Sequence, residues 1–242
     1  MSADRRRLIV ALDFPQAEAA LQLVASLQPG SCRLKVGKEL FVAAGPDLVR
    51  QLLDRGFEVF LDLKFHDIPS TVAGACRAAA ALGAWMLTVH VCGGRAMLEA
   101  AREAVAASSS PPLLVGVTVL TSLDRESLAE LGLGGEPTTW VQRWSALAVE
   151  TGLDGIVCSP NEVAMVRAWH GSRLIRITPG VRPRGTADGD QKRIATPGEA
   201  LAAGADYLVV GRPVIRAADP AGVIRAILSE MSHSQPPGDS LA

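Results

Sequence analysis

The sequence predicts an α/β protein folded as one (β/α)8 TIM barrel, and three observations point there. Eight short β-rich apolar runs alternate with longer amphipathic stretches. The 242 residues suit eight such units around one core. The turn after the first run, Asp13-Phe14-Pro15, lacks the G-x-G-x-x-G that a doubly wound dinucleotide sheet, the main structural rival, would carry there.

Taken in order, the strands are expected at Leu8–Leu12, Arg33–Gly37, Glu58–Phe65, Met86–Val91, Leu113–Leu120, Gly155–Ser159, Leu174–Thr178 and Tyr207–Gly211. Each is bounded by turn residues or by a segment of helical period. Helices are expected at Pro46–Arg55, Thr71–Leu82, Ala96–Ala107, Thr139–Thr151, Glu162–Trp169 and Pro220–Met231. Pro15, Pro46, Pro197 and Pro220 mark helix starts, and Gly30, Gly56, Gly83, Gly152 and Gly171 mark ends. No linker divides the chain. The expectation is one barrel domain over residues 1–231 and a disordered tail over 232–242, which contains Pro236-Pro237-Gly238.

Composition narrows the function. Aromatic residues make up 4% and the formal net charge is -1. Neither a stacking platform for single strands nor a basic field for nucleic acid is available. Cys32, Cys76, Cys92 and Cys158 form no C-x-x-C pair and fit no zinc spacing. They read as buried reduced thiols of a cytoplasmic protein. The run after Arg5-Arg6-Arg7 is broken by Asp13 and Pro15, too soon for a secretory signal, and no segment has membrane-spanning length.

Strand parity then isolates the charged residues. In Val59-Phe60-Leu61-Asp62-Leu63-Lys64-Phe65, alternation puts Val59, Leu61, Leu63 and Phe65 on the face toward the outer helices. Asp62 and Lys64 point to the barrel axis. By the same rule Leu8, Val10 and Leu12 leave Asp13 pointing in, and Leu34 and Val36 leave Lys35 pointing in. Four charges thus gather at the strand ends where barrel active sites lie, with Asp67 just beyond. Unpaired charge in such a place is costly, and four charges on three strand ends favour chemistry over the alternative, a structural ion-pair network closing the barrel mouth. His66 lies on the other parity or in the turn and is expected to orient the loop rather than act as a base. His90, at the end of the fourth strand, is expected as a packed core residue in preference to a pocket-lining one.

A second cluster reads as a phosphate site. Thr178-Pro179-Gly180-Val181-Arg182-Pro183 and Val209-Val210-Gly211-Arg212-Pro213 follow strands seven and eight, where phosphate commonly binds in this architecture. Gly180 and Gly211 allow close backbone approach, and Arg212 can fork onto an anion. The long loop from Arg182 to Ala195, with Gln191-Lys192-Arg193, has the length of a lid.

Ala11-Leu12-Asp13, Leu34-Lys35-Val36-Gly37, Asp62-Leu63-Lys64-Phe65-His66-Asp67-Ile68-Pro69, Thr118-Val119-Leu120-Thr121-Ser122, Pro179-Gly180-Val181-Arg182 and Val210-Gly211-Arg212-Pro213 together resemble the orotidine 5'-phosphate decarboxylase family. Ser70 departs from it, since many members carry asparagine there. The resemblance implies decarboxylation of orotidine 5'-phosphate to UMP, without metal or organic cofactor. It implies a homodimer with shared sites, where Lys35, Asp62 and Lys64 come from one subunit and Asp67 from the other. Asp13 and Lys35 would hold ribose hydroxyls, and Thr121 and Ser122 would read the pyrimidine edge. Arg182, Gln191, Gly211 and Arg212 would bind phosphate. Ile68 and Thr71 would also bind substrate, with Thr71 crossing over from the partner.

Two rivals remain at this level. A magnesium-dependent sugar-phosphate decarboxylase or aldolase of the same superfamily shares D-x-K-x-x-D but not the Thr121-Ser122 segment. A non-catalytic nucleotide-binding barrel would keep the phosphate cluster and have no use for Lys64.

Overall fold

The computed structural model describes residues 4–183 and 195–233 of the chain. Eight parallel strands close in sequence order into a barrel, β1 through β8, with β8 beside β1. The elements run β1 (Leu8–Ala11), α1 (Ala17–Ala25), β2 (Arg33–Gly37), α2 (Lys38–Asp54), β3 (Val59–Phe65), α3 (Pro69–Ala81), β4 (Met86–His90) and α4 (Arg95–Ala106). They continue with β5 (Leu113–Val117), α5 (Arg125–Glu130), α6 (Pro137–Glu150), β6 (Gly155–Val157), α7 (Pro160–His170) and β7 (Ile175–Thr178). The last elements are α8 (Pro197–Ala203), β8 (Tyr207–Val210), α9 (Arg212–Ile215) and α10 (Pro220–His233).

The packing divides as alternation requires. Leu8, Val10, Leu34, Val36, Val59, Leu61, Leu87, Leu114, Leu208 and Val210 join the large outer core between strands and helices. Ile9, Ala11, Phe60, Met86, Val115, Ile177 and Val209 form a separate cluster inside the barrel. Such a filled interior is a packed core and not a pore.

Three expectations need correction. The helix expected from Pro46 is present, but a helical segment from Lys38 precedes it, and the two meet at Gly45, whose φ of 66° suits only glycine readily. Pro46 therefore opens the second of two abutting segments. Ser232 and His233, assigned to the tail, belong to α10, and the rest of that segment lies outside the described residues. Cys32, Cys76 and Cys158 are buried free thiols, but Cys92 is exposed in the turn after β4.

Strand β3 carries the main irregularity. Its register against β4 passes from Leu61 opposite Leu87 to Phe65 opposite Val89. Asp62, Leu63 and Lys64 thus stand against the single residue Thr88. Lys64 takes up the displacement with a φ of 53°, the one non-glycine in the left-handed region among the described residues.

Candidate active site

The C-terminal mouth collects the charges that parity singled out. The Lys35 side chain sits between two acids, its Nζ 3.2 Å from Asp13 Oδ1 and 3.6 Å from Asp62 Oδ2. Lys64 Nζ lies 2.8 Å from Asp62 Oδ1. The chain of contact is therefore Asp13, Lys35, Asp62, Lys64. Its exposure grades outward: the Asp62 and Lys35 side chains are 12% and 11% exposed, Lys64 27% and Asp13 53%. Gly37 and Gly211 make room for it. A Cβ on Gly37 would stand 3.2 Å from Lys35 Nζ, and one on Gly211 3.2 Å from Asp13 Oδ2.

Asp62 is the pivot. Burial pushes its carboxyl pKa up, but the charges of Lys35 and Lys64, with hydrogen bonds from Lys64 and Thr88, outweigh burial and hold it below the usual carboxylate value. The ionised form is thus the stable one in this dry setting. A buried carboxylate stays charged only when so surrounded.

The array faces two adjoining cavities. One is mostly apolar, lined by Phe60, Val117, Val119, Val157, Ile177 and Val209, with Lys35, Asp62, Lys64 and Thr121 bordering it. A flat ring carrying one charged substituent suits that combination. The other shares Lys35, Asp62, Pro179 and Val209 and extends to Asp13, Gly180, Arg182, Gly211, Arg212 and Arg216. Across both, five basic side chains stand against two acids, so the combined site attracts an anion. The ends of the loop behind it are tied together, since Arg182 N–H donates to the Ala195 carbonyl at 2.9 Å.

Not every expected residue joins this cavity. Asp67, Ile68 and Thr71 are exposed on the rim where β3 runs into α3. The Asp67 carboxylate there accepts from the Ile68 N–H at 2.6 Å. Ser122 is exposed beyond Thr121, and Gln191 lies outside the described residues. His66 and His90 face each other, with ring centroids 5.5 Å apart. Thr88, buried at the heart of the array, carries no charge to mark it in the sequence. The available signal was its inward parity, shared with Met86.

Among the described residues no helix is long and apolar enough to cross a membrane. The comparisons with known proteins agree with one another. A family model described as Orotidine 5'-phosphate decarboxylase / HUMPS family matches residues 6–227. Orotidine 5'-phosphate decarboxylase of Halorhodospira halophila is 61% identical over 226 residues, covering 93% of this chain and 96% of the relative. That of Nitrosococcus oceani is 54% identical over 230 residues, covering 95% and 99%. The crystal structure of orotidine 5'-phosphate decarboxylase from Lactobacillus acidophilus matches with a TM-score of 0.85 and 37% identity, covering 93% of this chain and 99% of that one.

Proposed function

The chain belongs to the orotidine 5'-phosphate decarboxylase family and is a carboxy-lyase; on that premise we propose that it converts orotidine 5'-phosphate to UMP, the last step of de novo UMP biosynthesis, with Lys64 as the proton donor. One observation carries this reading. The Asp13–Lys35–Asp62–Lys64 chain borders a ring-sized apolar cavity that opens directly into an arginine-lined one.

The pyrimidine ring lies in the apolar cavity, with Thr121 at its edge. Asp13 and Lys35 hold the ribose, and Arg182, Gly211 and Arg212 hold the phosphate, with Gln191 as a further phosphate ligand. The bond from the ring to its carboxylate breaks and carbon dioxide leaves, so the electron pair stays on the ring carbon. Lys64 Nζ delivers a proton to that carbon. A positioned acid supplies about 10²–10⁴-fold, whereas the most proficient enzymes reach about 10¹⁷-fold. Proton delivery is therefore the smaller share. Preorganised positive charge beside the developing carbanion and binding energy from the distant phosphate supply the rest.

The exposed Asp67, Ile68 and Thr71 support a homodimer with shared sites. In it, Asp67 of one subunit completes the array of its neighbour. The free cysteines fit a cytoplasmic setting. Two experiments test the reading. Purified protein should consume orotidine 5'-phosphate, followed by absorbance, equally well in EDTA. Activity on a sugar phosphate that EDTA abolishes and magnesium restores would instead mark the related magnesium enzymes. Mixed Lys64→Ala and Asp67→Ala proteins should regain activity through one intact site per hybrid dimer, and no recovery despite subunit exchange would remove Asp67 from the neighbour's site.

A further inference from the structure

We propose that Thr88 is a positioning residue for the decarboxylation: its hydroxyl fixes the backbone bulge at Lys64 and holds Asp62 against the Lys64 ammonium. The inference rests on the reading of Lys64 as proton donor.

The bulge creates a need that a hydroxyl alone meets at this volume. Three residues of β3 stand opposite one of β4, so the Lys64 N–H has no ordinary ladder partner. It donates to Thr88 Oγ1 at 2.8 Å. The same hydroxyl donates to Asp62 Oδ1 at 3.0 Å, the oxygen that also receives Lys64 Nζ at 2.8 Å. A hydroxyl gives one proton and accepts others, so it can serve both contacts at once. Thr88 thereby ties down the backbone of Lys64 and the carboxylate that holds its ammonium.

Its setting suits this role. Thr88 is fully buried, and its β-branched side chain has restricted rotamers in a strand. Lys64 has an unfavourable φ of 53°, a conformation that persists only where its surroundings hold it. Thr88 is absent from the residues lining the two cavities. It therefore acts through Asp62 and Lys64, not on the substrate.

The test compares Thr88→Val, which keeps the shape and removes the hydroxyl, with Thr88→Ser, which keeps the hydroxyl. Both are assayed on orotidine 5'-phosphate well below their melting temperatures. Thr88→Val should lose about 10–100-fold in kcat with KM within about threefold of the unaltered protein. Thr88→Ser should stay within about threefold in kcat. The split and the rescue separate positioning from bulk packing. The proposal is overturned if Thr88→Val turns over at the normal rate, if Thr88→Ser falls as far as Thr88→Val, or if the loss lies in KM. Should Thr88→Val not fold, Thr88→Cys, a weak hydrogen-bonding isostere of serine, takes its place with the same expected loss. If the unaltered protein does not decarboxylate orotidine 5'-phosphate, the reading of the site fails, which is a different result.

Discussion

Strand β2 places two cations on its inward face, one toward each end of the barrel, and the two ends do different work. At the bottom of the barrel, the Arg33 guanidinium lies 3.9 Å from the Trp85 ring centre and pairs with Glu58 at 3.0 Å. It also donates to the Arg6 carbonyl, and Tyr207 packs edge-on against Trp85. At the top, Lys35 stands between Asp13 and Asp62 and opens on two cavities. Both cations are buried and both are paired. The difference is what fills the space beyond them: aromatic rings close the bottom, whereas the mouth has room for a ligand. A buried ion pair by itself is weak evidence of function. A buried ion pair bordering a cavity of complementary charge is stronger evidence.

This contrast can be broken by substitutions at either end, and the mouth should show the larger effects. Arg212→Ala should lower kcat/KM for orotidine 5'-phosphate by about 10–100-fold, the scale of lost charged hydrogen bonds, and change turnover of the phosphate-free nucleoside far less. Equal losses on both substrates would remove Arg212 from a phosphate site. Arg33→Met should leave kcat unchanged and cost about 1–3 kcal/mol of stability, since stacking and a half-exposed ion pair are lost. Thermal melting should register this as a drop of about 3–10 °C; a selective loss of kcat would mean the two ends are coupled.

The smallest effect concerns pH. Burial first, then the charges of His66, Lys38 and Lys64, lower the His90 pKa from the usual 6.5 to about 4. Between those values the unfolded chain binds the proton and the folded one does not. This contribution to stability is whole above pH 6.5 and is lost as pH falls toward 4. His90→Gln should therefore flatten the decline in melting temperature across that window by about 2–4 °C. Parallel curves for the two proteins would show that His90 carries no such linkage.

How much of this was legible varies with the physical signal. All eight strands could be read because outward apolar residues repeat every second position around a barrel whose interior is also apolar. Their ends were less clear: the fifth was expected to reach Leu120 but stops at Val117, where the chain leaves the ladder for the mouth loop. Helices α5 and α9, with 6 and 4 residues, are too short to show a period. Asp13, Lys35, Asp62 and Lys64 were legible because charge on an inward face is conspicuous. Alternation put Lys64 on the inward face, where it lies, but said nothing of the backbone that carries it there. The bulge at Lys64 is a backbone event with no signature in residue type, and the hydroxyl that satisfies it is ordinary in a β-rich run. Arg33 shares the parity of Lys35 but its role is not legible in the sequence, because its partners Trp85, just before β4, and Tyr207, on β8, are distant in sequence.

The account depends most on Lys64. The direct measurement is turnover of orotidine 5'-phosphate by Lys64→Ala at matched concentrations of folded protein. The predicted result is a loss of about 10⁴-fold or more in kcat, with a melting temperature within about 4 °C of the unaltered protein. Near-normal turnover by that variant would contradict it.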